Sequence, residues 1–308
     1  MYNSPPMIIE TQDLNFGFDR HRQLIKNLNI MVPRGSIYGF LGPNGAGKTT
    51  TIRLLLGLLS AVPNKIYLFR QPLEENKMSI FSRIGALIEQ PSLYEHLSGR
   101  DNLIVTQRLR NIRANRVEEV LKIVDLHKDA RKRVSAYSMG MKQRLGIAIA
   151  LLAEPDLLIL DEPINGLDPN GIIEIRELLI KLNQENGTSI FLSSHQLPEI
   201  EKLVTHLGII DNGQLIFQGT IQDLGFAQGR HSHLKIETND NTKAQILIEE
   251  TFGLRLSNDG NYLEVTYGDK EQIASLCNLL VSAGISIFHI EKAKSDLESL
   301  FLNILKKA

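Results

Sequence analysis

Residues 36–55 read SIYGFLGPNGAGKTTTIRLL, a short apolar run rich in β-formers, then a glycine turn, then a run with helical patterning. The turn, GPNGAGKTT (42–50), fits the phosphate-loop pattern G-x-x-x-x-G-K-[ST] in the strand-to-helix setting that the pattern requires. In the run Gly42, Pro43, Asn44, Gly45, Ala46 and Gly47, which the pattern assigns to phosphate binding, the glycines let successive backbone amides turn inward around phosphate oxygens. Lys48 brings a positive charge to the β and γ groups, and the Thr49 hydroxyl, next to Thr50, can ligate Mg²⁺. A strand feeding such a loop and helix belongs to an α/β layered domain with a buried, mainly parallel sheet.

A nucleoside triphosphate site also needs a second metal anchor and a group to handle the attacking water. Both stand at the end of another apolar run, LLILDEP (157–163): Asp161 to hold the metal and Glu162 beside it as candidate general base. His195 follows a third run in FLSSHQLPEIEKL (191–203), at the end of a parallel strand where ligands bind such sheets, and can contact the γ-phosphate and orient the water. A further anion-type helix start appears at YSMGMKQR (137–144), where Ser138 and Gly140 offer a hydroxyl and a bare backbone.

Alternating β-rich and helical runs extend from about Ile8 to Thr220, with SIYGFL (36–41), DLLILD (156–161) and TSIFLSS (188–194) read as strands. Residues 99–154 read as mainly helical, a subdomain over about 90–154 projecting from the sheet. The apolar pattern breaks at LGFAQGRHSH (224–233), so the expected domains are 7–224 and 225–308. Beyond the break come strand HLKIET, helix 243–251, strand LRLS, an Asp259-Gly260 turn, strand YLEVTY, helix 269–282, strand ISIFHI and a helix from about Ser295. That βαββαβ order predicts a small ferredoxin-like α+β domain with an added helix.

Lys and Arg number 34 against 35 Asp and Glu, so the overall balance gives no support for polyanion binding. Residues 97–144 are locally basic, with twelve Lys/Arg against five Asp/Glu, which a solvated helical face explains most simply. Cys277, the lone cysteine, suits a reducing compartment and follows helical spacing with Ile273, Leu276 and Leu280, which predicts a core position. The start, MYNSPPMIIETQDL, lacks the basic-then-apolar pattern of a signal peptide, and LGIAIALLA is too short to span a membrane. The chain is therefore expected to be soluble by itself. His231-Ser-His233 is too weak a pattern to read as a metal site.

Taken in order, the phosphate loop, YSMGMKQR, LLILDEPINGLDP and SSH resemble the ATP-binding subunit of an ABC transporter over roughly residues 7–220. The resemblance implies a P-loop NTPase domain with a helical subdomain, binding ATP and Mg²⁺, and a head-to-tail dimer holding two ATP molecules between its subunits. It implies that Phe18 in LNFGFDRH stacks on adenine, with Phe16 the second choice, and that GLDP (166–169), with Asp168, lies across the dimer interface. Ser138 and Gly140 would reach the γ-phosphate held by the facing subunit's Lys48. Ile164 stands where Thr is frequent, a change that touches neither metal nor water.

Two departures are informative. In RIGALIEQPSLYEHLSGRDNL (83–103) the family's metal-facing Gln position maps onto Glu89, with Gln90 next door as the alternative, and a carboxylate is tolerable there only if it faces the metal. In YSMGMKQR, Met139 and Met141 replace the family's Gly and Gln while the two phosphate-facing positions are kept. IGALIE and YSxGMKQRLGIA resemble the branch that exports, or confers resistance to, peptide antibiotics such as bacitracin and lantibiotics.

The implied partners are a second ATPase subunit, identical or not, and an integral-membrane permease contacted near residues 90–110. The expected location is cytoplasmic, on the inner face of the cell membrane. The alternative is a soluble ABC-type ATPase acting on ribosomes or nucleic acid through the basic stretch. Ribosome-acting members usually carry two ATPase domains in one chain, and DNA-repair members carry long coiled coils. This sequence has neither, so no nucleic-acid partner is expected.

Overall fold

The computed structural model describes residues 6–19, 23–227, 232–254, 256–258, 260–267, 270–293 and 297–307. Its contacts separate two units, one running to Ile221 and another over Gln222–Lys306.

The first unit is built on a six-stranded sheet. Across it run Gln214–Gly219, His206–Asp211, Ile37–Leu41, Ser189–Ser194, Leu157–Asp161 and Ile84–Leu87, all parallel to their neighbours except the first, an antiparallel edge. Ile37–Leu41, Leu157–Asp161 and Ser189–Ser194 are buried at every residue, so both faces are covered, as their near-continuous apolar runs require. In register, Ser194 pairs with Leu41 and Ser193 with Asp161. The segments that begin at Gly42, Glu162 and His195 consequently leave one edge of the sheet together. That parallel register is what gathers three distant stretches of sequence into one place.

Tyr38, Phe40 and Phe191 form an aromatic centre, with ring centroids 5.6 Å apart for Tyr38–Phe191 and 5.4 Å for Phe40–Phe191. Ile52, Leu54 and Leu55 of the helix Lys48–Leu55 are fully buried in the same cluster, each contributing about 1.5–3 kcal/mol by leaving water. A four-stranded antiparallel sheet (Met31–Pro33, Met7–Thr11, Ile66–Leu68, Gln71–Pro72) adds Ile8, Ile9 and Leu68 to that cluster.

Between residues 99 and 154 the chain forms helices Gly99–Leu109, Arg116–Ile123 and Met139–Leu151, with a short 3-10 turn at Val134–Ala136. Ser98 caps the first, accepting from the Asp101 amide at 3.1 Å. The basic residues of this stretch are extensively paired: Arg100 with Glu118, Arg113 with Glu119 and Glu154, Arg116 with Glu119, Lys132 with Asp129, Lys142 with Glu95 and Arg144 with Glu174. An open cationic face is not what those residues present.

The second unit has its own antiparallel sheet, ordered Leu256–Asn258, Leu263–Tyr267, Ser232–Thr238, Ile287–Ala293. With helices Asn241–Phe252 and Lys270–Ser282 this is the split βαβ arrangement. Its core is Leu234, Ile236, Ile248, Leu263, Val265, Leu276 and Leu280. Asp240 caps the first helix through the Lys243 amide at 3.0 Å, so that helix begins two residues earlier than its apolar pattern alone suggests. The expected strand LRLS is observed as Leu256–Asn258, shifted toward the chain end. Cys277 departs from expectation: it is only half-buried, because one residue past Leu276 the helix has turned by about 100° off the buried stripe. Asp259, Ser295 and His231, which figured in the turn, the last helix and the His-Ser-His pattern, lie outside the described residues.

Candidate active site

The loop after Ile37–Leu41 has its shape imposed by contacts and conformation. A Cβ on Gly42 would lie 2.3 Å from the Ile210 carbonyl oxygen, and Gly47 has φ +111°, so neither position accepts a side chain without strain. Within that curl the Lys48 ammonium donates to the Gly42 carbonyl at 2.8 Å and to that of Pro43 at 3.4 Å. Gly42, Pro43 and the buried Ala46 thus shape the loop, while Asn44, Gly45, Gly47, Lys48, Thr49 and Thr50 line a cleft of about 480 Å³. Leu24, Glu162, Asn165 and His195 complete its lining.

Glu162 is held from two sides. Its Oε1 lies 3.5 Å from the Lys48 Nζ and its Oε2 2.9 Å from the His195 Nδ1. Its backbone has φ +49°, a left-handed conformation costing roughly 1–2 kcal/mol in a non-glycine residue and found preferentially where geometry serves function. The Ser193 hydroxyl accepts from the Glu162 amide at 2.9 Å and donates to Asp161 Oδ1 at 2.5 Å. One buried hydroxyl therefore fixes both acidic residues.

Asp161 is 1% exposed, and its Oδ2 has no hydrogen-bond partner. A buried carboxylate oxygen left unpaired costs several kcal/mol unless something cationic or a donor meets it. Thr49, Glu89, Gln90, Met139, Gln143, Asp161, Glu162 and Asn165 line a recess of about 200 Å³. One hydroxyl and one carboxylate suit Mg²⁺, which binds through one or two protein oxygens plus phosphates and water. The residues present fit that ion.

Glu89 pairs with Arg53 on the phosphate-loop helix at 2.6 Å and has φ +56°. Both Glu89 and Gln90 line the recess, so the structure leaves the two adjacent. Phe18 is 71% exposed, with its ring edge-on to Phe16 at 5.1 Å, and Leu24 rather than Phe18 lines the cleft.

Ser138 and Gly140 line neither the cleft nor the recess. Ser138 caps Met139–Leu151, accepting from the Met141 amide at 3.2 Å. A Cβ on Gly140 would meet nothing closer than 4.0 Å, so nothing within this chain demands glycine there. Asp168 likewise caps Pro169–Asn186 through the Gly171 amide at 3.2 Å.

Residues 25–165 match the family model described as ABC transporter. The bacitracin transport ATP-binding protein BcrA of Bacillus licheniformis is 42% identical over 97% of both chains. The chain belongs to the ATP-binding subunits of ABC transporters. The lantibiotic transport ATP-binding protein SrtF of Streptococcus pyogenes is 38% identical over 68% of this chain and 90% of its own. Among solved structures, CbiO1 of Clostridium perfringens, part of the transporter complex cbiONQ, superposes with a TM-score of 0.65 at 27% identity, over 72% of this chain and 92% of its own.

This ABC ATPase is an ATP hydrolase of the transport-coupled kind. Three residues of the site, one behind the cleft and two lining it, escape motif reading. Ser193 carries a signal, since two serines at the end of an otherwise apolar buried strand need partners. Asn165 had only its place between Glu162 and Asp168, and Leu24 had none.

Proposed function

We propose that the chain is the energy-supplying subunit of an exporter for peptide antibiotics of the bacitracin or lantibiotic class. It would work as a dimer, beneath a separate membrane permease and on the cytoplasmic face of the cell membrane. What carries the catalytic part of this reading is the Glu162 carboxylate held between Lys48 and His195 at the wall of the phosphate-loop cleft. The peptide-antibiotic part is supported by the full-length likeness to a bacitracin transport protein and the shorter likeness to a lantibiotic one. No helix among the described residues is long and apolar enough to cross a membrane.

The backbone amides of 44–50 and the Lys48 ammonium hold the β- and γ-phosphates and draw charge from the terminal phosphoryl group. Glu162 accepts a proton from the water that attacks the γ-phosphorus. The new P–O bond forms as the bond to the β–γ bridging oxygen breaks, and ADP leaves with that electron pair. His195 keeps the Glu162 carboxylate aimed and offers its other ring nitrogen toward the γ-phosphate. Thr49 and Asp161 would hold Mg²⁺, with Glu89 the added carboxylate beside it; bound there, the ion neutralises developing phosphate charge.

Ser138 and Gly140 would complete the cleft of a facing subunit. The open space at Gly140 supports this, since a glycine without an internal reason is explained by an approaching ligand.

Glu162→Gln keeps the shape and removes the base, so steady-state ATP hydrolysis should fall by about 10² to 10⁴-fold while ATP binding persists. Turnover equal to wild type would sink the catalytic assignment. Affinity purification from detergent-solubilised membranes should recover a hydrophobic multi-helix partner; recovery of ribosomes instead would overturn the transport reading.

A further inference from the structure

Gln143 is out of place by the rules that govern the rest of its helix. Along Met139–Leu151 the residues buried with it are Leu145, Gly146, Ile147, Ala148, Ala150 and Leu151, all apolar or without a polar side chain. Gln143 is only 6% exposed, and its amide makes no hydrogen bond among the described residues. Such a group brings two donors and two acceptor lone pairs, and leaving them unmet is unfavourable. A leucine would fill the same space at no such cost.

The small exposure it keeps is into the recess shared with Thr49, Glu89, Gln90 and Asp161. The carboxylates that could accept from it there are largely engaged elsewhere. Glu89 is taken by Arg53, and Asp161 Oδ1 by Ser193. Asp161 Oδ2 is buried and unpaired. Two unsatisfied polar groups from different elements thus face one small cavity beside the phosphate loop. A water with two protons to give can serve both, one to the Asp161 oxygen and one to the Gln143 carbonyl. A water polarised by a divalent cation is the strongest such donor.

We propose that Gln143 is a positioning residue that accepts a hydrogen bond from a water in the hydration shell of the nucleotide's Mg²⁺, and so ties its helix to the occupancy of the chain's own cleft. The proposal rests on the ATPase reading above and extends it. The same helix starts at Ser138 and Gly140. Loading one cleft therefore fixes the helix start that serves the other, which gives the two sites of a dimer a physical reason to act together.

The test compares full-length wild-type protein with Gln143→Leu and Gln143→Glu, using a fluorescent ATP analogue with and without Mg²⁺, and Mn²⁺ binding followed by electron paramagnetic resonance. In Gln143→Leu the Mg²⁺-free affinity should be unchanged. The gain in affinity on adding Mg²⁺, and Mn²⁺ binding in the presence of nucleotide, should fall by about 10- to 100-fold, the usual effect of losing an outer-shell partner. Gln143→Glu, which retains an acceptor, should recover most of that gain.

A folded Gln143→Leu protein with the full Mg²⁺-dependent gain overturns the proposal. So does equal weakening with and without Mg²⁺, which marks a packing role. If circular dichroism shows Gln143→Leu unfolded, Gln143→Met, of equal length and without the amide, takes its place under the same criteria. Wild-type protein that binds no nucleotide would defeat the ATPase reading itself, whereas normal wild-type behaviour with an unaffected variant defeats this inference alone.

Discussion

Tyr38 buries a phenolic hydroxyl that has no hydrogen-bond partner, packed against Gly208, where an added Cβ would lie 2.2 Å from the oxygen. Burial alone pushes its pKa far above the ordinary tyrosine range. Because the folded value is raised, the neutral hydroxyl's contribution is fully present below the unfolded value near 10 and is lost as pH climbs beyond it. Tyr38→Phe removes both liabilities. It should leave stability at pH 7 unchanged or raise it by about 1 kcal/mol, and above pH ~10 it should abolish a loss of about 1.4 kcal/mol per pH unit. Urea unfolding midpoints of the two proteins at pH 7 and 10.5 check this; parallel losses at the higher pH would mean that the Tyr38 pKa is not raised in the folded protein. At this scale the motif residues are legible because Lys48, Asp161 and Glu162 each carry chemistry that few other residue types replace. Ser193 is less so, since its role as a two-way clamp comes from the register that sets it opposite Asp161. The Arg53–Glu89 pair, formed between residues 36 positions apart, leaves no trace in local pattern.

Helix Met139–Leu151 combines two functions at its first turn. Ser138 satisfies the Met141 amide as a cap worth about 1 kcal/mol, and in a dimer the same turn would meet a neighbour's phosphate. A trans arrangement can be tested by complementation between differently tagged chains. Pairing a Ser138→Arg chain with a Lys48→Ala chain puts both lesions in one cleft and leaves the other intact, so about half of wild-type turnover should survive in the simplest independent-site case. Placing both substitutions in one chain, paired with wild type, damages both clefts and should remove nearly all turnover. The reverse order, with turnover lost in the first mixture and about half surviving in the second, would mean that Ser138 serves its own chain's nucleotide. Elements themselves read well from sequence where burial is two-sided: the three central strands appear where their apolar runs stand. The basic stretch at 97–144 reads poorly, because its charge count is silent about Glu95, Glu154 and Glu174, acidic partners that lie at or beyond its ends.

At the level of the whole molecule, the chain carries two separate hydrophobic cores, one centred on Phe40, Phe191 and Ile52 and the other on Ile236, Leu263 and Leu276. The nucleotide cleft is lined entirely from the first unit. The SrtF likeness spans 211 residues and nearly all of that protein, whereas the BcrA likeness runs through both units. The two likenesses differ in length by 302 − 211 = 91 residues, about the size of the second unit. Separate cores predict two unfolding transitions in calorimetry. Ending the chain after residue 225 should remove one transition and leave ATP affinity within about twofold, roughly 0.4 kcal/mol. Dimer formation with ATP, measured by light scattering in an Glu162→Gln background, and export through the permease would be followed separately in the same truncated chain. Loss of ATP binding on truncation would show that the phosphate-loop domain depends on the second unit to fold. Retained ATP binding with lost dimerisation would assign that unit to holding two subunits together, a task that the bacitracin-like chains would perform within the ATPase subunit itself.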